Sequence, residues 1–346
     1  MARVSIKDIA RAAGVSYSTV SRALNDNPAI SQEVRGRIQG LAQTMGYTPN
    51  ALAQGLLSHR THSIGLVITT ISDPFFVDIL KGVEEVAQEA NISVFLATSN
   101  NDPDREIKIL ETFSRRRVDG AIVAASRISS EYAQQIEQVQ IPVVMVNNQA
   151  VGEYENLYSI GVDDYAGGRL AMQHLTGLGH RRIGYIGVSN RPGSSSRRMQ
   201  AYLDVLNEHG IIPQEDWVCI NQTLACGDLE SDLNAGKCLT PHLMQAGITA
   251  LFCYCDTVAV GAILACRKLG MDLPRQMSVV GFDDNDLCEI VCPTLTTVSQ
   301  PKREMGQTAM RILLASINGE MVSNHVVEPA LVIRESTAPV NGKIEG

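Results

Sequence analysis

The 346-residue sequence holds no apolar run of membrane-spanning length. Its longest apolar stretches, Ile64 to Ile71 and Ile141 to Val146, are strand-sized, whereas a helix crossing a bilayer needs about 20 apolar residues. The opening residues MARVSIKDIA lack the apolar segment that follows the charge in an export signal, so the expectation is a cytoplasmic chain with no membrane partner. Aromatic residues are scarce, with nine Tyr, six Phe and one Trp, which leaves few stacking partners for a planar ligand. Catalytic signatures are missing too. There is no H-E-x-x-H, no Walker phosphate loop and no strand-helix G-x-G-x-x-G, and neither a paired acid and base nor a nucleophile with its base stands out. The sequence therefore predicts neither an enzyme nor a cofactor.

Cysteine is present but poorly arranged for chemistry. All eight fall between Cys219 and Cys292, without a C-x-x-C pair, and Cys253-x-Cys255 with Cys288-x-x-x-Cys292 is a weak zinc pattern. In a chain of this size they read as reduced thiols serving as small apolar side chains, and no metal is expected.

What is present begins with an uneven charge. Residues 1–60 carry seven basic side chains (Arg3, Lys7, Arg11, Arg22, Arg35, Arg37 and Arg60) against Asp8, Asp26 and Glu33. That segment is +4, and the rest of the chain is then −12. A small basic module on a large acidic body suits one end that meets a polyanion and a remainder that avoids it, although a solvated basic face would look the same. The local pattern favours the first reading. Ile6, Ile9, Ala10 and Ala13 recur at helical spacing, Gly14-Val15 breaks the run, and Ser16 caps a second helix whose Val20 and Leu24 face inward. The opposite face offers Tyr17, Ser18, Ser21 and Arg22, groups that suit base edges and phosphates. A third helix follows, capped by Ser31, with Val34, Ile38, Leu41 and Ala42 closing a small core before Tyr47-Thr48-Pro49.

The body alternates strand-like and helix-like stretches. Strands are predicted at 64–69, 93–97, 120–124 and 142–146, with helices at 78–90 and 106–116 between them. The rhythm restarts at 182–186, 198–209, 217–220, 235–245, 250–253, 257–269 and 278–281. Repeated strand-helix units give parallel sheets covered by helices, so two similar α/β halves follow one all-α headpiece.

The runs IKDIARAAGVSYSTVSRALN and MGYTPNALAQGL, then SIGLVITTISDPFFVDILKGVEEVA, RRVDGAIVA, IPVVMVN, IGVDDYAGGRLAMQHLTGLGHRRIGYIG, VAVGAILACRKLG, SVVGFDD, LTTVSQP and LVIRESTAP, resemble in order the blocks of the LacI/GalR family of bacterial transcription regulators. The resemblance spans the whole chain. It implies a helix-turn-helix DNA-binding headpiece (1–49), a hinge helix or linker (50–60), and an effector-binding and dimerisation body (61–340) shaped like a two-lobed periplasmic binding protein with parallel sheets. One lobe would hold about 61–160 and 293–322 and the other about 161–292 and 323–340, the chain crossing near 161, 292 and 323. In the headpiece, the implied DNA contacts are Ser5, Ser16, Tyr17, Ser18, Thr19, Ser21, Arg22 and Asn25. In the hinge they are Asn50 and Ala53, with Leu56 as the wedge that enters the minor groove and unstacks a base step. Gly55 departs from the longer polar side chain usual there, and an interior glycine costs a helix about 1 kcal/mol relative to alanine.

Ligands of such sheets bind beyond the carboxyl ends of the strands, so an effector is expected between the lobes. Asp73 and Phe75 follow the first body strand, and a carboxylate beside an aromatic suits a sugar hydroxyl and an apolar sugar face, whereas Phe76 reads as core. Arg198 matches the family arginine that reaches the effector, Arg197 reads as its solvated neighbour, and Asp283 would give Arg198 acidic company, with Asp284 as the alternative or a helix cap. Asn148 ends another strand. Cys255 departs most from the family: Tyr254-Cys255-Asp256 stands where Asn-Asp is usual. Either the effector lacks the matching polar group, or Tyr254 compensates, or the thiol senses oxidants. Asp163 and His180 read as structural. The implied function is a homodimeric repressor whose affinity for a pseudo-palindromic operator is set by a small molecule, a sugar or sugar derivative first and a purine or nucleoside second. No heptads follow Arg334 to Thr337, so no tetramerising coiled coil is expected.

Overall fold

A computed structural model describes residues 4–47, 60–124, 130–147, 157–222 and 229–340. It divides into a headpiece ending at Thr61 and a body beginning at His62. The hinge positions Asn50, Ala53 and Leu56, and the cleft candidate Asn148, lie outside the described residues.

The headpiece has three helices: α1 (Ile6–Ala13), α2 (Tyr17–Leu24) and α3 (Gln32–Thr44). Ser5 opens α1 in a capping box, donating from its backbone N–H (3.0 Å) and its hydroxyl (2.6 Å) to Asp8. Gly14 ends it at φ 68°, a left-handed conformation that makes the tight turn into α2. Ser16 and Ser31 cap α2 and α3 by accepting from the backbone N–H groups of Thr19 and Val34. Ile9, Val20, Ala23, Ile38 and Ala42 form the buried centre, with Leu24 and Val34 packed at its edge. Helix α3 stops at Thr44, ahead of Tyr47, because Gly46 turns left-handed at φ 66°. Arg35 is spent internally, its guanidinium holding the carbonyls of Asn27 and Ile30.

The body contains two six-stranded sheets. Its strands are β1 (Ser63–Ile68), β2 (Ser93–Thr98), β3 (Gly120–Ala124), β4 (Val143–Val146), β5 (Leu157–Val162), β6 (Ile183–Val188), β7 (Val218–Asn221), β8 (Ala250–Cys253), β9 (Ser278–Asp283), β10 (Thr296–Ser299), β11 (His325–Val327) and β12 (Ala330–Val332). The first sheet runs β11-β5-β4-β3-β1-β2 and the second β12-β10-β9-β8-β6-β7. Pairing is parallel except where β12 joins β10. Central strands such as β1 and β9 are buried at every position, as both-face coverage by helices requires, whereas β2 on the edge leaves Phe95 and Leu96 exposed.

The helices of the body are α4 (Phe75–Glu89), α5 (Pro103–Arg115), α6 (Ser130–Glu137), α7 (Asp164–Gly177), α8 (Pro192–Glu208), α9 (Leu229–Gln245), α10 (Asp256–Lys268), α11 (Leu287–Ile290) and α12 (Lys302–Ile317). In the first lobe, Ile64, Leu66 and Ile68 pack with Ile79, Val83, Met305 and Leu313 on one face, and Val67, Ala121 and Val123 with Leu110 and Phe113 on the other. Paired glycines let helices cross at backbone contact. A Cβ on Gly82 of α4 would come 2.0 Å from the Arg303 carbonyl oxygen of α12, and one on Gly261 of α10 would come 2.2 Å from that of Leu233 in α9. Cys253, Cys255, Cys266 and Cys288 are buried in the second lobe's core among Val258, Ile263 and Leu295.

The three passages between sheets follow β5, β10 and β11. Strand β10 pairs with β9, so the second passage comes after Ser299 and not near 292. Strand β11 pairs with β5, so the third comes after Val327 and not near 323. Thr296 and Thr297 of β10 are fully buried and satisfied there, Thr296 N–H donating to Ser336 and the Thr297 hydroxyl to Asp256.

Candidate functional site

In the headpiece, Ser16, Tyr17, Ser18, Arg22 and Asn25 are exposed along and beside α2, while Thr19 and Ser21 are half-buried. Tyr17 keeps 55% of its surface. Ser16 is occupied as the cap, with the Ser18 and Thr19 hydroxyls each 2.8 Å from it, and Ser5 is occupied by Asp8. The outward face of α2 is thus a phenol, hydroxyls and one guanidinium held on a capped helix, the chemistry that reads base edges and phosphates in a major groove.

In the body, the site is built at the carboxyl ends of both sheets. Asp73 lies just before α4, where its Oδ1 accepts the Phe75 backbone N–H at 3.0 Å. Its Oδ2 receives Arg191 Nη2 at 2.6 Å. Arg191 occupies the cap position of α8 in the second lobe, so this ion pair joins the two lobes, with 11% of the arginine and 10% of the aspartate side chain exposed. Phe75 belongs to the first lobe's core as fully as Phe76, their rings edge-to-face at 5.3 Å. A ring placed this way serves packing before any ligand.

Arg198, one turn and a half into α8, is fully buried. Its Nε and Nη2 reach Asp164 at 2.8 Å, and Nη1 donates to the Tyr254 carbonyl at 2.5 Å. The guanidinium sits between the rings of Phe282 (3.5 Å to the centroid) and Tyr254 (4.4 Å). The acidic partner in contact is therefore Asp164, the first residue of α7, and not Asp283. Asp283 instead accepts Gln300 Nε2 at 2.7 Å, and Lys302 Nζ caps the carbonyls of Asp283 and Asp284. Burial pushes the Asp283 carboxyl well up, with nearby Arg198 opposing. Asp284 neither caps a helix nor meets Arg198: it pairs with Arg334 at 2.8 Å. A cavity of about 460 Å³ opens beside this passage, between Asp78, Asp284, Gln300 and Lys302, and is lined by neither Asp73 nor Arg191.

Cys255 is buried, its Sγ 3.9 Å from Asp232, and burial pushes the thiol far up. An oxidant sensor needs an accessible thiolate, so the redox alternative fails at this residue. Tyr254 supports the wall instead, its hydroxyl 2.7 Å from that of Ser194. Asp163 caps α7, and His180 is buried against Thr249, Ser278 and the Ala338 carbonyl, both in structural positions. Among the described residues no group of acidic, His and Cys side chains could hold a metal. No helix among them is long and apolar enough to cross a membrane.

Two family models match this chain: bacterial regulatory proteins of the lacI family over residues 5–50, and a periplasmic binding protein-like domain over 172–337. The HTH-type transcriptional regulator DegA of Bacillus subtilis (strain 168) is 33% identical over 345 residues, 98% of this chain and 99% of that one. The chain belongs to the LacI family of bacterial regulatory proteins. Solved structures agree with the architecture of this family member. The Lac repressor dimer bound to operator and the anti-inducer ONPF superposes with a TM-score of 0.84 at 25% identity, over 97% of this chain and 100% of that one. A complex of the transcriptional regulator CelR with cellobiose gives 0.70 at 27% identity, over 96% and 100%.

Sequence reasoning on this LacI-family chain missed Arg191 and Asp164. Arg191 sits between a strand and a helix, where periodicity says nothing, and only its pairing across the cleft singles it out. Asp164 stood beside the cap residue Asp163 in a block read as a lobe passage, and the adjacency of two acids was the available signal.

Proposed function

We propose that this protein is a homodimeric transcriptional repressor that releases or grips a pseudo-palindromic operator according to a sugar, or sugar derivative, held between its lobes. The observation that carries this reading is a capped recognition helix with an exposed Tyr17, Ser18 and Arg22 face, in one chain with two lobes that the Asp73–Arg191 ion pair joins. Tyr17, Ser18 and Arg22 read bases, and Ser5, Ser16, Thr19, Ser21 and Asn25 hold the backbone or position that face. Asn50, Ala53 and Leu56 form the DNA side of the hinge, and Leu56 wedges the minor groove. In the body, Asp73, Asn148, Arg198, Cys255 and Asp283 line the effector cleft, with Phe75 packed in the core beside Asp73. The chain performs no catalysis and works where the operator is, in the cytoplasm. Coupling requires only that the effector bind the operator-competent and incompetent states unequally.

The test is enrichment of random duplexes on the purified full chain, followed by salt-controlled anisotropy titrations with and without mono- and disaccharides, nucleosides and purine bases. The expected outcome is one enriched palindrome whose affinity a sugar shifts at least tenfold. Absence of sequence enrichment refutes the regulator. A shift by purines alone replaces the sugar reading with the nucleobase one.

A further inference from the structure

The Asp73–Arg191 ion pair spans the space that an effector must occupy, and its two halves are not equally dispensable to each other. A molecule entering between the lobes separates them and leaves each charge in a largely water-excluded wall. Asp73 has other support: its Oδ1 accepts the Phe75 N–H, and it lies at the N-terminus of the 15-residue helix α4, whose dipole favours a carboxylate. Arg191 is placed the other way round. It occupies the cap position of the 17-residue helix α8, so the positive end of that helix faces a positive side chain. Asp73 is the carboxylate it contacts, with Asp232, Tyr254 and Cys255 in its wider electrostatic surroundings. The carboxylate of Asp164 is already engaged by Arg198. Three residues after Arg191, the Ser194 hydroxyl lies 2.7 Å from that of Tyr254.

We infer that Arg191 is the specificity-determining residue of the cleft and that the effector is an acidic sugar, bearing a carboxylate or phosphate that replaces Asp73 on the guanidinium while its hydroxyls donate to the freed Asp73. The inference rests on the sugar reading above and narrows it. A neutral sugar gives Arg191 only uncharged acceptors and must compete with a charged one 2.6 Å away. An acidic sugar exchanges one charge-assisted pair for another, and the planar fork of arginine suits a carboxylate or phosphate in two-point contact. Asp73 in turn selects against a ligand that is anionic at both ends.

Two measurements on the full chain test this. The first titrates matched sets of pentoses, hexoses and disaccharides, each with its aldonate, uronate and phosphate ester, by calorimetry at fixed ionic strength. The wild type is expected to favour an acidic member over its neutral parent at least tenfold, Arg191→Gln to lose that preference, and Arg191→Lys to keep part of it. A neutral sugar bound as tightly as its acid, a preference that survives in Arg191→Gln, or no acidic sugar bound at all overturns the assignment of Arg191. Binding of purines or nucleosides in place of every sugar overturns the sugar reading with it. The second measurement needs no effector. In Asp73→Asn the guanidinium loses its partner, so inorganic phosphate should raise the melting temperature of this variant by several degrees more than that of the wild type. The excess should vanish in Asp73→Asn/Arg191→Gln. Equal response of wild type and Asp73→Asn refutes an anion-seeking Arg191.

Discussion

Replacing Arg198 by methionine should cost the body about 4 kcal/mol, and most of that loss should be recoverable without restoring the arginine. The substitution keeps an unbranched apolar stem but removes the cation, leaving Asp164, 8% exposed, as an uncompensated buried charge. Deleting one member of a buried ion pair costs roughly 3–5 kcal/mol, chiefly from that orphaned partner. The lost stack between Phe282 and Tyr254 adds to it, though the contributions overlap and do not sum. At about 2–4 °C per kcal/mol for a large domain, the melting temperature should fall by roughly 8–16 °C, and urea unfolding gives the free energy directly. Removing the orphan as well, in Arg198→Met/Asp164→Asn, should bring stability back to within about 1.5 kcal/mol of wild type, a recovery of about 2.5 kcal/mol over the single variant. A single variant costing less than about 1 kcal/mol, or a double variant no better than the single, refutes the ion-pair account. Loss of effector response in Arg198→Ala would then report a broken cleft wall as much as a missing ligand contact.

Three further outcomes are expected. Arg22→Ala should weaken discrimination between operator and mutated operator by about 1–3 kcal/mol at constant salt, and unchanged discrimination would take Arg22 out of base reading. Glu106 is buried in α5, and burial raises its carboxyl to about 8 against an ordinary 4.5, with the Ser99 hydrogen bond opposing. Between those values the folded chain binds the extra proton, so stability falls as pH rises through that window, by up to about 1.4 kcal/mol per pH unit for this group. Glu106→Gln should flatten the decline in urea midpoints between pH 5 and pH 8, and an unaltered slope would place the proton elsewhere. Gly261→Ala forces a methyl to 2.2 Å from the Leu233 carbonyl oxygen, which neither helix can swing aside. Destabilisation of about 1–3 kcal/mol or more should follow, and a neutral result in a chemical melt would mean that α9 and α10 slide apart freely.

The alternation of apolar strands with amphipathic helices was enough to read both α/β halves, because strands buried on both faces have little choice but continuous Val, Ile and Leu. The three-helix headpiece was equally legible from Gly14, Ser16 and Ser31, each of which has one local conformational task. Positions fixed by distant partners were not. The passage that the resemblance placed near 292 comes after Ser299, since Thr296 and Thr297 pair with β9 and find their hydrogen-bond partners in the distant Ser336 and Asp256. Arg198 was readable as a buried guanidinium, but its partner was not, since Asp164 and Asp283 are both acids near strand ends and only the packing of α7 against α8 decides between them. Arg191 shows the limit plainly: its neighbour Asp73 is 118 residues away.

The order of strands in the two sheets has a consequence for how the chain is made. Helix α12 supplies Met305, Met310 and Leu313 to the first lobe's core, β11 completes that sheet, and β12 completes the other only two residues later. Neither half can close until residues 302–332 have left the ribosome, whereas the headpiece core is built from side chains between Val4 and Tyr47. A nascent chain thus carries its helix-turn-helix headpiece ahead of a body still showing open sheet edges. Premature termination near residue 320 would strip both lobes at once and leave that module without the part that governs it.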